Sequence, residues 1–268
     1  MSEAGSDTAT RFAVIDWGGA LQRIEYRWVG DDRSAVPPVV FLHEGLGSVA
    51  MWKDFPERLC AEHSLRGFVF SRPGYGRSTP RPHDEHWQPD FMQRQADEVL
   101  PALFAAVGIE RPWLFGHSDG ASIALLHAAR HEVAGMIVVA PHLFVEDISI
   151  ESIEKAREAY ESAGLRARLA RYHEDPDSAF RGWNDIWLDP AFREWNIERE
   201  IETIACPALV AQGEDDEYGT LEQIRAIARR LPKTRLLMIP KCGHSPHRDQ
   251  PELLSREAGR FILEHNDS

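Results

Sequence analysis

Residues 114–122 read LFGHSDGAS, with Ser118 held between Gly116 and Gly120 and followed at once by Asp119. The apolar run PWLF precedes the serine with the length and character of a buried strand, and ASIALLHAAR follows with helical character. A chain that passes from strand to helix over one residue turns tightly, and its flanking positions have no room for side chains. Gly116 and Gly120 provide that clearance, and Ala121 and Ala124 keep the start of the helix slim. Alone, G-x-S-x-G is a weak signal, because Ser118 could equally be the N-cap of the helix. The elements on either side have to decide.

Working outward, short apolar runs alternate with longer amphipathic stretches. RFAVID and LQRIEYRWV read as an opening antiparallel pair, and PVVFLH, GFVFSR, PWLFG, GMIVVAP, PALVAQG and RLLMIP as six further strands. Between them, helices are predicted around 52–62, 90–107, 119–130, 221–231 and 251–265. This order predicts a mostly parallel, doubly wound α/β sheet. One connection is too long for a loop: about sixty residues separate Pro141 from Cys206, and they carry Trp183, Trp187 and Trp195. They predict a helical cap over residues 142–205, with the core formed by 1–141 and 206–268.

Composition narrows the possible partners. The chain has 268 residues and a net charge of -13, which disfavours nucleic acid, whose phosphates demand clustered Lys and Arg. No apolar run is long enough for a bilayer, and the polar, acidic start MSEAGSDTAT does not read as a secretory signal, so a cytoplasmic location is expected. Three scattered cysteines form neither a disulfide framework nor a zinc motif. His244-x-x-His247 and His83-x-x-His86 lack the i, i+4 spacing and companion carboxylate of a helical metal site, so no metal and no other cofactor is expected. The expected partner is a small-molecule substrate, and the sequence is silent on oligomeric state.

A serine hydroxyl is a poor nucleophile at neutral pH and needs a base and an acid that orients the base. GEDDEYG follows the strand ALVAQ, and KCGHSPH follows LLMIP, which puts carboxylates and then a histidine on the carboxyl-terminal edge of the sheet with Ser118. At this point the chain resembles the α/β-hydrolase superfamily, from about residue 11 to residue 265. FLHEGLGS is similar to the loop after the third strand, SRPGYGRS to the glycine-rich turn after the fourth, FGHSDG to the nucleophile elbow, GEDD to the G-x-x-D acid turn and CGHSPHRDQPE to the histidine loop. The resemblance implies an α/β-hydrolase fold with Ser118 as nucleophile, His244 as general base and acid, and Asp216 as orienting carboxylate. Asp215 is the alternative acid. His43 and His117 are expected to pack beside the site.

The same resemblance implies an oxyanion hole formed by the backbone N–H groups of Gly45 and Asp119. The Asp119 carboxylate is expected to face the N–H groups and positive dipole end of its own helix, away from the reacting centre. Glu44 departs from the family pattern, standing where a glycine is common. It is expected to accept hydrogen bonds from its own loop or to pair with an Arg or His, with contact to substrate as the functional alternative. Phe180, Trp183 and Trp187, spaced i, i+3, i+7, give the cap one aromatic face, and Trp183 and Trp187 are candidate substrate-binding residues alongside Glu44. The expected activity is hydrolysis of a small carboxylic ester, thioester or lactone through an acyl-enzyme, on an uncharged or aromatic rather than a phosphorylated substrate. The alternatives are carbon–carbon bond hydrolysis of a ring-cleavage product and a non-catalytic binding protein that keeps the fold. A dehalogenase or epoxide hydrolase would need a carboxylate in place of Ser118.

Overall fold

The apolar runs form one eight-stranded sheet in a computed structural model that describes residues 9–266. The strands are β1 (Arg11–Trp17), β2 (Ala20–Gly30), β3 (Val39–Leu42), β4 (Arg66–Phe70), β5 (Trp113–His117), β6 (Gly135–Val139), β7 (Ala208–Gly213) and β8 (Thr234–Ile239). Their order is β1-β2-β4-β3-β5-β6-β7-β8. The pairs β1/β2 and β2/β4 are antiparallel and all later pairs parallel. Gly18 and Gly19 close the opening hairpin at φ 63° and 79°, a conformation that glycine adopts without a Cβ penalty.

Strand β3, VVFL, is buried at all four positions. Its residues divide between the two faces: Val40 and Leu42 join one hydrophobic cluster, Val39 and Phe41 the other. A strand buried on both sides is what a parallel sheet covered by helices requires. Helices α1 (Phe55–His63) and α10 (Pro251–Glu264) cover one face through Phe55, Leu59, Leu254 and Phe261. The other face is covered by α2 (Phe91–Arg94), α3 (Leu100–Val107), α4 (Asp119–Ala128) and α8 (Glu222–Arg230).

Two helices differ from expectation for local reasons. The first starts at Phe55 rather than Trp52, because Lys53 sits at φ 57° and Pro56, which has no N–H to offer, belongs in a first turn. The stretch 90–107 contains a π-turn at Gln95–Val99, two residues before Pro101, whose ring cannot continue regular α-helical bonding.

The segment between β6 and β7 is a helical insert containing α5 (Asp147–Ser162), α6 (Leu165–Leu169) and α7 (Pro176–Trp187). Gly164, at φ 73°, separates the first two. Asp175 caps α7 by accepting hydrogen bonds from the amides of Asp177 and Ser178, with Pro176 in the first turn. Ile153, Phe180, Trp183 and Trp187 from the insert belong to the same hydrophobic cluster as the α4 face of the sheet. One further short helix, α9 (Pro246–Asp249), follows the histidine loop. No helix among the described residues is long and apolar enough to cross a membrane.

Candidate active site

Ser118 lies between β5 and α4 at φ 53°, ψ -121°, a backbone conformation that a non-glycine residue rarely adopts. Neighbouring bonds hold it there: its N–H donates to Val139 O at 2.9 Å, and its carbonyl accepts from Ala121 N at 2.8 Å and Ser122 N at 3.1 Å. The flanking glycines are sterically required. A Cβ on Gly116 would lie 2.4 Å from Gly120 O, and one on Gly120 would lie 2.2 Å from Leu42 O. The Ser118 side chain makes no capping hydrogen bond to α4, so the simple N-cap reading fails. Instead, Ser118 lines a cavity of about 280 Å³ together with His244, Gly45, Asp119, Trp183 and Trp187.

His244 stands in the loop after β8, and Asp216 in the loop after β7. The His244 Nδ1–H donates to Asp216 Oδ1 at 2.8 Å, with Oδ2 at 3.0 Å. Asp216 also accepts from Tyr218 N at 2.8 Å and Gln212 Nε2 at 3.1 Å. Burial pushes the Asp216 carboxyl up, but the His244 charge and hydrogen bond and the Tyr218 amide outweigh it, leaving the group below its ordinary value. Burial pushes His244 down, and attraction to Asp216, with lesser help from Glu217 and Glu44, brings it above the ordinary imidazole value. Asp215 hydrogen-bonds through its backbone N–H, to Cys242 O at 3.0 Å. The backbone of His244 is gripped from both sides: His117 Nε2–H donates to its carbonyl at 2.7 Å, and its own N–H donates to Glu217 Oε2 at 3.1 Å.

Neither Gly45 N–H nor Asp119 N–H has a hydrogen-bond acceptor among the described residues, and both residues border the cavity. The amide of Leu46, also on the cavity wall, is likewise without one. Trp183 packs against this loop so closely that a Cβ on Gly45 would fall 2.1 Å from its ring. Trp183 and Trp187 are 6% and 2% exposed and also line the cavity, so they are packed core and pocket wall at once.

The Asp119 carboxylate does not face its own helix. It accepts from Trp187 Nε1 at 3.1 Å and lies 3.8 Å from Arg72 Nη2, where both side chains are 1% exposed. Burial raises its carboxyl to about 6, with Arg72 and the Trp187 hydrogen bond acting against that rise. Arg72, from SRPG, was not singled out in the sequence. It is a buried cation that also donates to Glu44 O at 2.9 Å and Gln95 Oε1 at 3.1 Å. His43 packs beside it, accepting from Arg72 N at 3.0 Å through Nε2 and donating from Nδ1 to Glu44 O at 2.7 Å.

Glu44 takes the second of its two expected arrangements. Its carboxylate pairs with Arg248 Nη2 at 3.3 Å and lies 3.6 Å from His117 Nδ1, while the loop's own N–H of Gly47 goes to the Glu44 carbonyl at 3.0 Å. Burial acts to raise this carboxyl, and His117, Arg248 and His247 together hold it well below the ordinary value. Glu44 also lines the cavity, as do His142, Glu217, Tyr218 and Arg248, four residues to which the sequence reading assigned no role. Only a G-x-x-D-x-Y or G-H-x-x-x-R spacing could have flagged the last two.

A profile described as the alpha/beta hydrolase family matches residues 39–257. The chain is 27% identical to a putative carbamate hydrolase, RutD, of Caulobacter sp. (strain K31), covering 83% of this chain and 90% of that protein. It is 22% identical to a 2-hydroxy-6-oxononadienedioate/2-hydroxy-6-oxononatrienedioate hydrolase of Comamonas testosteroni, covering 98% and 99%. Among solved structures, a thermophilic esterase from Thermogutta terrifontis superposes with a TM-score of 0.75 at 19% identity, covering 96% of this chain and 99% of that one.

Proposed function

Because the chain belongs to the alpha/beta hydrolase family, we propose that it hydrolyses a small organic carbonyl compound through an acyl-enzyme formed on Ser118. The observation that carries this reading is the His244–Asp216 pair at 2.8 Å, whose histidine lines the same cavity as a serine held on a strained turn. With Nδ1–H committed to Asp216, His244 Nε2 is left as the acceptor for the Ser118 proton. The serine oxygen adds to the carbonyl carbon, and the backbone N–H groups of Gly45 and Asp119 stabilise the oxyanion. Collapse of the tetrahedral intermediate expels the leaving group, which takes the proton from His244. Water then attacks the acyl-enzyme, giving its proton to the same nitrogen, and the acid product leaves. Trp183, Trp187 and Glu44 bound the substrate, with residues 142–205 acting as the cap over a core of 1–141 and 206–268.

The leaving group separates two readings. A near-full-length relative bears the name of a 2-hydroxy-6-oxononadienedioate hydrolase, which favours a ring-cleavage product, cleaved at a carbon–carbon bond, as the substrate. The lining favours the second reading, a neutral ester, thioester or lactone. Glu44 and Glu217 line the cavity with one arginine, Arg248, which is already paired with Glu44, and the Asp119 carboxylate is taken up by Arg72 and Trp187, so a carboxylate-bearing dienone finds no free cation on this wall. Purified protein assayed against p-nitrophenyl esters of increasing acyl length, and against one ring-cleavage dienone, separates them by kcat/KM. A fluorophosphonate probe that fails to label Ser118, with no turnover in either series, would overturn catalysis and leave a binding protein.

A further inference from the structure

We propose that a second cavity, on the far side of the loop between β3 and α1, is an oxyanion site that takes a phosphate or pyrophosphate group. This cavity, about 580 Å³, is bordered by Arg27, Lys53, Arg77 and Arg171, and among the described residues its acids are Glu25 and Glu174. Both acids are engaged. Glu25 is buried and accepts from Ser71 Oγ at 2.8 Å and Arg77 N at 2.9 Å, and Glu174 pairs with Arg23 at 3.3 Å. Of the cations, Arg27 is paired with Glu57. Lys53, Arg77 and Arg171 have no carboxylate partner among the described residues. Three cations without a carboxylate partner border one concavity against the single Glu25 charge, which its neutral donors leave in place, so in a chain with a net charge of -13 this wall keeps a local positive excess.

Tyr172 adds a hydroxyl to this wall. Lys53 Nζ donates to it at 2.8 Å and lies 4.2 Å from the ring centroid, and Arg171 stands over the same ring at 5.9 Å. The hydrogen bond and charge of Lys53 hold the phenol below its ordinary value, a local sign of the same positive excess. A lone carboxylate is satisfied by one arginine fork. Several separated cations within a cavity of this size match a group with several charged oxygens.

The cavity shares two walls with the Ser118 cavity. The loop after β3 borders the catalytic side through Gly45, Leu46 and Met51 and the cationic side through Val49, Ala50 and Lys53. The insert borders the catalytic side through Leu165 and Leu169 and the cationic side through residues 170–174. His173 ties the walls together: its Nε2–H donates to Leu46 O at 2.9 Å, and its Nδ1 accepts from Gly76 N at 2.9 Å. An oxyanion bound here would touch the loop and the insert that also wall the reacting pocket.

Isothermal titration of the full chain with inorganic pyrophosphate at low ionic strength tests the site. Saturable binding is expected, weakened at least about tenfold in Arg77→Gln/Arg171→Gln and retained in Arg77→Lys/Arg171→Lys. Circular dichroism checks folding, and Lys53→Gln alone, expected to weaken binding about threefold, gives an independent reading if the double variant does not fold. Absence of binding by the wild type, or undiminished binding in folded Arg77→Gln/Arg171→Gln, would overturn the proposal. Pyrophosphate that alters kcat/KM for a neutral p-nitrophenyl ester marks a separate effector. Pyrophosphate that binds but leaves that ester's turnover untouched marks a handle on a larger substrate, and both results support the site.

Discussion

Asp215 and Asp216 are chemically identical neighbours on one loop, yet His244 Nδ1 meets only Asp216. Asp216→Asn is expected to cost several orders of magnitude in kcat, because the amide no longer holds the imidazole in the productive tautomer, whereas Asp215→Asn costs little. Equal losses in the two variants would mean that the loop as a whole is disturbed. Ser118→Ala is expected to lower turnover by at least about three orders of magnitude with an unchanged circular dichroism spectrum. Retention of most activity would move the nucleophile elsewhere. The pH profile follows from the same pair. A base must be neutral to accept the serine proton, so kcat/KM falls as pH drops through the raised His244 value, with a midpoint above the ordinary imidazole value of about 6.5. The stabilisation by His244, whose folded value is raised, is fully present below its unfolded value and is lost as pH rises through the folded one. That by Asp216, whose folded value is depressed, is present above its unfolded value and is lost as pH falls through the folded one. The stability difference between wild type and Asp216→Asn in denaturant unfolding is therefore largest between about pH 4 and 6.5 and shrinks on both sides. A difference that is flat across that range would refute the linkage.

At the scale of elements, the elbow depends on how closely α4 approaches β3. Gly120→Ala sets a Cβ 2.2 Å from the Leu42 carbonyl oxygen and 2.6 Å from that of His43, both backbone atoms that cannot rotate away. It is expected to destabilise by about 1–3 kcal/mol, as overpacking does. Gly164→Ala, at φ 73° with open space around it, carries only the left-handed backbone cost of about 1 kcal/mol. Urea denaturation ranks the two, and the reverse order would mean that the elbow relaxes. The loop carrying Glu44 is tied to α9 through Arg248, on a side chain that is 16% exposed. Glu44→Gln is therefore expected to lower the melting temperature modestly and leave the ranking of neutral esters unchanged. A variant as stable as wild type with a changed ranking would mean that the Glu44 charge acts on the substrate rather than on the fold.

At the scale of the whole molecule, insert and sheet are not separate bodies with a hinge of polar contacts. Trp183 and Trp187 belong to the cluster that covers the sheet, and Trp187 Nε1 reaches Asp119 at the start of α4. Trp183→Ala is expected to cost about 3–5 kcal/mol and to open the cavity over Gly45, shifting preference toward longer acyl groups. An unchanged chain-length profile in the folded variant would leave Trp183 a purely packing residue.

Strands, their parallel arrangement, the serine turn and the helical insert were legible from residues 114–122 outward, because each is written in local periodicity, glycine placement and chain order. The histidine and acid loops were legible as loops for the same reason. The G-x-x-D spacing pointed to Asp216 over Asp215, but the contact itself, His244 Nδ1 on Asp216, depends on how the loops after β7 and β8 are placed relative to each other. The same holds for Asp119, expected on its own helix and found between Trp187 and Arg72, and for Glu44, which pairs with an arginine 204 residues away. A buried charge goes to the counter-charge or donor that tertiary packing brings within reach, so its partner is decided by how the elements stack rather than by neighbours in the chain. Arg72 follows the same rule: an arginine in a glycine-rich turn looks solvated until Gln95, Asp119 and the loop after β3 gather round it.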